Sequence, residues 1–528
     1  MRNRSIWLLT FVLTLVSAYA QDTEIKLDTQ VVEVDLKPWV SDAIKINFHP
    51  QLDHKNDSVV LQKYDLPVVL YEFDYTPKTI RPLAYRKPKP KSLNNNYVQL
   101  GIGAPLNYLS QLHLMSKRNK KWLYGALVHY DNLQGSIDNQ TFRNLDAILY
   151  GKRVFKKSEL AVNLLLDNNY RSTFSVNNDV TPFNSSLSSI GGKLQWKNNP
   201  TNKQSFQIGW RNNIFSTKAT QAKETFIQSD LNILKPIKKG KLEIDFNQKL
   251  LSISDSNNTP SNYLFNSKAA YQFEISQTEF ELGIFVSKDA GQARVFPQIA
   301  SSKDLIKDNL VLYAEINSYL FTNGIRDLSD KNPFMDWGLY TKENTYSNEK
   351  IGGFKGKIDS RWSYDLQYNY NNLLNAPLFV SVTNNTNAFE IVYADIDIQK
   401  TSAKLSFQSK KRWKSVINAN WLIINSGNQT HAWHLPNFNL IWNLNYNLQD
   451  KIQASLDIFS QSRTYNRADL KELENSGFVD INIGLDYIYH KSLSFYLDIR
   501  NLLGTKYSVY WGLPSVGRTA QIGVKLSL

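Results

Sequence analysis

The sequence predicts an all-β chain: a large antiparallel transmembrane β-barrel of about 22 strands behind a short N-terminal periplasmic arm. Three observations predict it. From Asn96 to Leu528, segments of about ten residues alternate apolar and polar side chains, with turn residues between them. Tyr, Trp and Phe make up 12% of the chain and recur at segment ends, for example Trp122, Tyr130, Trp196, Trp362, Tyr393, Trp413 and Tyr489. The links alternate short and long: the one at Thr278 is tight, whereas Asn323 to Lys350 is long and polar.

A strand sends successive side chains to opposite faces, so alternation puts one face in hydrocarbon and the other in a wet lumen. A soluble sandwich gives the same rhythm. Segment length separates the two, since about ten residues suit a tilted span better than the five or six usual in soluble sheets. Aromatic rings at segment ends fit the girdles at the two membrane interfaces.

Composition removes other classes. The chain has 528 residues and no cysteine, so disulfide frameworks, thiolate metal sites and cysteine lipid anchors are excluded. No stretch beyond the N-terminus reaches the roughly 18 apolar residues of a spanning helix. Lys+Arg number 61 and Asp+Glu 47, a net charge of +14. An excess of that size suggests anionic surfaces such as lipid A headgroups of lipopolysaccharide. No run of five basic residues occurs, so a nucleic-acid tail is not expected.

In chain order, residues 1–20 read as a secretory signal. Arg2 and Arg4 precede the apolar run Ile6 to Val16, and Ala18 and Ala20 form the small-x-small cleavage site. Residues 21–95 form a charged, Pro-rich periplasmic arm or plug substitute, with Lys87-Pro88-Lys89-Pro90-Lys91 as an extended linker. The barrel occupies 96–528. Tyr97 to Gly103 opens it, followed by Trp122 to Tyr130, Phe142 to Val154, Leu160 to Leu166, Phe206 to Phe215 and Phe226 to Leu234. Then come Leu242 to Phe246, Ala269 to Ile275, Phe280 to Val286 and Leu310 to Phe321, with Phe183 to Trp196 and Arg294 to Ile299 less regular. The C-terminal half is the clearest: Tyr393 to Ile398, Phe438 to Leu448, Ile452 to Phe459, Phe478 to Tyr489 and Leu493 to Ile499. In Ile481 to Tyr489 every odd position is apolar or aromatic, with Gly484 and Asp486 on the other face and Ile488 as the exception.

Motifs for chemistry are sparse, and neither an enzyme nor a cofactor is expected. No G-x-S-x-G, H-E-x-x-H or phosphate-binding glycine loop occurs. Of the seven histidines only His431 and His434 have metal-like spacing, in a turn with Trp433 between them, where loop histidines are the expectation. Asp255 to Asn258 and Asp327 to Asp330 read as polar loop tips. The loop aromatics Phe334 to Trp337 and Trp511 are suited to the membrane interface or to sugars.

The last residues, Arg500 to Leu528, read RNLLGTKYSVYWGLPSVGRTAQIGVKLSL. They resemble the end of TonB-dependent receptor barrels: an Asn-Leu-Leu turn, a Tyr, a loop with Pro and Gly-Arg, then a final alternating strand. The matching positions are Asn501, Leu502, Leu503, Tyr507, Pro514, Gly517, Arg518 and Gly523. The chain departs from the family in ending on Leu528 rather than an aromatic residue. The resemblance implies that the barrel assembly machinery reads the final strand through Ile522, Val524, Leu526 and Leu528. The Asn-, Lys- and Tyr-rich style is similar to Bacteroidota proteins.

Members of that family carry a plug of well over a hundred residues ahead of the barrel, and residues 21–95 supply 75. The plug signatures are not visible, so a TonB-energised cycle in its usual form is not expected. A lumen of this size needs a filling. The expected candidates are the arm, inward-folded loops such as Asn323 to Lys350 and Asn371 to Glu390, or a lipoprotein or periplasmic partner. Solute uptake across the Gram-negative outer membrane is the leading expectation. The alternative is a plugless structural subunit of an assembly or secretion complex.

Overall fold

The computed structural model describes residues 96–528 except 118, 120, 136, 138, 173–182, 199–206, 220–221, 238, 255–260, 290–291, 308, 341–342, 383–384, 410–411 and 469–470. Residues 1–20, read from the sequence as a signal with Ala18 and Ala20, residues 21–95, read as an arm, and Asp255 to Asn258 lie outside the described residues.

The first strands are β1 (Asn96–Ala104), β2 (Asn107–Met115), β3 (Trp122–Gln134), β4 (Thr141–Val154), β5 (Ser158–Ser172), β6 (Asn184–Asn198), β7 (Gln207–Lys218) and β8 (Lys223–Ile237). The middle ones are β9 (Gly240–Ser254), β10 (Ser261–Ile275), β11 (Thr278–Asp289), β12 (Gln292–Ile306), β13 (Leu310–Thr322), β14 (Asn344–Lys357), β15 (Trp362–Val382) and β16 (Asn385–Gln408). The last are β17 (Trp413–Asn425), β18 (Phe438–Leu448), β19 (Ile452–Gln461), β20 (Thr464–Ala468), β21 (Lys471–Asn475), β22 (Phe478–His490), β23 (Leu493–Arg500) and β24 (Thr519–Ser527). One helix, α1 (Ile325–Lys331), and a 3-10 turn (Trp337–Leu339) lie between β13 and β14.

Twenty-two strands form one antiparallel sheet, and β20 and β21 form a separate hairpin. The sheet closes because β1 pairs with β2 on one side and β24 on the other, leaving no open edge. Glycine makes that seam possible. Gly101 lies opposite Gly523, and a Cβ at Gly523 would meet the Leu100 carbonyl and the Tyr496 ring.

The predicted alternation is present. Leu100, Ile102 and Ile522 point outward and are 53%, 55% and 60% exposed, while Gln99 on the opposite face is 9% exposed. Outward Leu149, Leu164, Ile190, Leu282, Ile284, Trp421 and Ile423 extend the same apolar belt round the cylinder. A belt that large is a membrane surface. The inner wall is polar: Lys268 meets Glu281 at 2.6 Å, and Asn232 Nδ2 donates to Asp245 at 2.5 Å.

Asn96 and Leu528 exchange backbone hydrogen bonds of 3.0 and 2.9 Å, so both stand at one end. The ten links at that end run from 2 residues (276–277) to 8 (199–206); at the other end the longest is 323–343, with 21. Short turns are periplasmic and long loops extracellular. The tight link is Ser276-Gln277, with φ of 49° and 63°, as a type I′ hairpin turn requires.

Two expectations need correction. Asn323 to Lys350 is not one loop, because β14 begins at Asn344. Asn371 to Glu390 is not a loop either: β15 runs to Val382 and β16 starts at Asn385, as an unusually long hairpin of 21- and 24-residue strands.

Candidate functional site: a cap folded over the barrel mouth

The extracellular mouth is covered by chain that leaves the cylinder wall. β12 pairs with β13 only as far as Ile299–Ile316, whereas β13 stays paired with β14 up to Thr322–Asn344. Above that parting, Leu320 and Tyr346 pack on the fully buried Leu264 beside Phe296. The Arg294 guanidinium sits 4.1 Å from the centre of the Tyr346 ring, and Asn344 Nδ2 donates to Asp289 at 2.7 Å.

Loop 323–343 then reaches toward β5–β8. Gly324 provides α1 with no side-chain cap. Glu224 of β8, 3% exposed, does so instead by accepting the Ile325 N–H, which satisfies an orphan helix donor with a carboxylate at the positive end of the helix. Arg326 completes the latch. Its Nη2 donates to Asp167 of β5 at 2.9 Å, its Nη1 to Ser189 of β6 at 3.4 Å, and its guanidinium stacks 4.3 Å from the centre of Phe215 of β7.

The other half of the loop is tied to the long hairpin. Asp336 N–H donates to Phe389 O at 2.9 Å and Phe389 N–H to Phe334 O at 3.0 Å, while Tyr510 Oη donates to Lys331 O at 2.6 Å. Ile325, Leu328, Met335, Trp337, Phe379 and Phe389 form one apolar cluster with Leu251 and Ile253 of β9. A second cluster joins Leu378, Val380 and Ile396 to Trp433 of the β17–β18 loop. Such clusters bury apolar surface away from lipid, so the cap has a water-excluded core of its own.

His434 is its hub. The imidazole is 2% exposed, with Nδ1 3.0 Å from Phe379 O and Nε2 taking the Trp511 N–H at 3.4 Å. The rings of Phe389 and Tyr510 stand 5.5 and 5.1 Å away. One nitrogen facing a carbonyl and the other an N–H define a neutral ring protonated at Nδ1. Burial pushes its pKa down to about 4, against the opposing effect of the Phe379 carbonyl. Further ties close the ring of loops: Asn466 Nδ2 to Ser381 Oγ at 2.8 Å, Asn475 Nδ2 to Ser508 O at 2.5 Å, and Gln140 Nε2 to Pro514 O at 2.6 Å.

The C-terminal motif residues take defined places. Asn501, with φ of 48°, holds the turn after β23 by accepting from Thr505 N–H at 3.0 Å and donating to Thr505 O at 2.9 Å. Leu502 N–H reaches Ile481 O at 2.8 Å, and Leu503 is exposed. Tyr507 stacks on Phe478 at 3.7 Å and donates to Asp480 at 2.6 Å; burial first and Asp480 second raise its pKa. Pro514 bridges to Ser508, Gly517 has φ of 82°, and Arg518 flanks Gly504. Ile522, Val524 and Leu526 lie opposite Ile102, Leu100 and Val98 at the seam.

Several loop readings change. Phe334, Met335 and Trp337 contact neither lipid nor solvent but form the cap core. Tyr393 packs against that core rather than in a girdle. Asp327 to Asp330 lie in α1, not at a loop tip. His431 stacks on Tyr465 at 4.0 Å and faces Glu472, away from the role of His434. Arg326, Asp167 and Glu224 were not legible as a set. The apolar run Ala376 to Val380 was the available signal that this hairpin is buried on both faces.

No family model and no curated protein matches the sequence. Solved structures do share the fold. The FrpB iron transporter from Neisseria meningitidis (F3-3 variant) superposes with a TM-score of 0.65 at 9% identity, over 82% of this chain and 81% of that one. The closed form of the ferric-catecholate import receptor Fiu from K12 E. coli gives 0.64 at 9% identity, over 83% and 82%. The pyoverdine receptor FpvA from Pseudomonas aeruginosa PAO1, bound to pyoverdine, gives 0.61 at 13% identity, over 83% and 79%. These neighbours are transporters and receptors rather than enzymes. The chain thus has the fold of the integral β-barrels of the Gram-negative outer membrane. Within that class its fold is that of the TonB-dependent receptors, as the C-terminal residues implied.

Proposed function

We propose that the barrel carries a solute across the outer membrane and that the inward-folded cap is its gate. The observation that carries this reading is the latch. The loop spanning the mouth of a 22-strand cylinder meets the β5–β8 wall through Arg326 and the Glu224 carboxylate, polar contacts that exchange for water when the loop swings away, beside the apolar packing of Ile325 and Leu328 with Leu187 of β6. The neighbours, an iron transporter and an import receptor among them, support uptake as the activity. Reading of Ile522, Val524, Leu526 and Leu528 by the assembly machinery belongs to the same proposal.

A specific observation favours a second reading, a structural subunit. The cap core is closely built, with Val380 and Phe389 0% and Trp433 1% exposed, as suits a permanent closure. Planar-bilayer conductance separates the two. Uptake through a gate predicts a nearly silent native barrel and discrete conductance for Arg326→Ala combined with Glu224→Gln. A correctly folded variant that stays silent removes the gate and leaves the structural reading.

A further inference from the structure

The positive charge of this chain is not spread over the barrel. The ten periplasmic links hold 16 Lys/Arg and 3 Asp/Glu, a net of +13, whereas the eleven extracellular links hold 8 and 10, a net of −2. Nearly all of the chain's +14 therefore gathers at the end away from the lipid A leaflet.

At one place the excess has a defined geometry facing lipid. Arg153 of β4 lies opposite Trp122 of β3 on the outer face. Its guanidinium sits 4.6 Å from the Trp122 ring centre and 4.7 Å from that of Phe155. Trp122 and Phe155 are 46% and 40% exposed, at the membrane interface. Lys121, Lys156 and Lys157 are exposed beside it, and the backbone of Lys121 is fixed to Val154 by a 2.8 Å hydrogen bond. The neighbouring Lys152 behaves differently: it meets Glu159 at 2.7 Å, and Glu159 also takes Lys197 at 2.7 Å. Among the described residues, then, Lys152 on the other face of β4 has a carboxylate partner within the chain, while Arg153, Lys121, Lys156 and Lys157 have none.

We propose that this periplasmic collar binds the phosphate of anionic phospholipids in the inner leaflet, with Arg153, Lys121, Lys156 and Lys157 as one defined site. Depth supports a lipid: aromatic rings mark the interface, and the cations stand one step beyond it, where headgroup phosphates lie. Stacking between two rings pre-organises the guanidinium for the two-pronged contact a phosphate oxygen pair offers. Distribution supports it too. Basic clusters occur at the β2–β3, β4–β5, β8–β9 and β16–β17 links, all round the cylinder, whereas a protein partner would cover one side.

The full chain, extracted from vesicles of phosphatidylethanolamine with phosphatidylglycerol, is examined by native mass spectrometry for retained lipid. The native protein retains phosphatidylglycerol in preference to the zwitterionic lipid. Combining Arg153→Gln with Lys121→Gln, Lys156→Gln and Lys157→Gln lowers that retention at least about tenfold. Lys218→Gln with Lys223→Gln, at the extracellular end, leaves it unchanged. Gel mobility with and without heating verifies that each variant is a folded barrel; should the fourfold variant fail this check, Arg153→Gln alone is measured and must lower retention. Equal retention by the folded collar variant overturns the proposal, as does unchanged lipid with loss of a co-purifying acidic periplasmic protein.

Discussion

Replacing Arg326 with alanine loosens the cap from the β5–β8 wall by an amount the structure allows to be worked out. The Arg326 and Asp167 side chains are 29% and 19% exposed, between the surface and buried cases. Their 2.9 Å contact is therefore worth about 1–2 kcal/mol, short of the loss expected for a fully buried pair. Stacking over Phe215 at 4.3 Å adds about 1 kcal/mol. A total of roughly 2–3 kcal/mol raises local opening about 30- to 150-fold. Hydrogen exchange reads this directly, because the Leu328 and Asn332 amides are bonded within α1 at 3.0 and 2.8 Å. Those two amides exchange faster by that factor in the variant, while β22–β24 keep their native protection. Unchanged protection in α1 would refute the latch, and a uniform rise over the whole barrel would show that Arg326 supports the cylinder instead.

Protonation of His434 disfavours the closed cap. Its pKa of about 4 when closed, against about 6.5 when exposed to water, leaves the His434 contribution to closure intact above pH 6.5 and removes it as the pH falls from 6.5 to 4, by roughly 3 kcal/mol in total. Exchange of the cap amides between pH 7 and 4.5, corrected for intrinsic rates, rises more with acid in the native protein than in His434→Phe, and the difference between the two checks the sign. Phe389→Ala empties a wholly buried position and costs the cap about 3–5 kcal/mol. The heat-dependent gel shift of the barrel stays native in that variant, while limited proteolysis cuts within 376–394. Gly523→Val forces a side chain into the Tyr496 ring and the Leu100 carbonyl at the seam. The heat-modifiable fraction in outer membranes falls, and Tyr496→Ala restores part of it.

The cylinder was legible in the sequence because its physics is local. Ile481 to Tyr489 shows lipid face and lumen face residue by residue, and nothing beyond the strand is needed to read it. Legibility ended where a segment is buried on both faces or on neither. The upper half of β15, Ala376 to Val382, lies inside the cap and has no alternation, while its lower half carries Tyr364, Tyr368 and Tyr370 against Asp365, Asn369 and Asn371, a contrast too polar to stand out. β2 hides behind a two-residue link, Pro105-Leu106. The cap was foreseen only as inward-folded chain. Its contacts join residues 159 apart for Arg326 and Asp167 and 55 apart for His434 and Phe379, and no spacing rule links such pairs. The charge asymmetry needed the topology, since only strand order tells which links share an end.

A closed cylinder with lipid outside and water within can be tested for directly because the chain has no cysteine of its own. Single cysteines at each position from Asn482 to Tyr487 are spin-labelled, and the accessibility of each label to lipid-soluble oxygen and to a water-soluble nickel complex is measured in membranes. Strict alternation is expected, with oxygen favoured at Ile483, Leu485 and Tyr487 and nickel at Asn482, Gly484 and Asp486. Equal accessibility at odd and even positions, or the absence of any oxygen-favoured site, would contradict it.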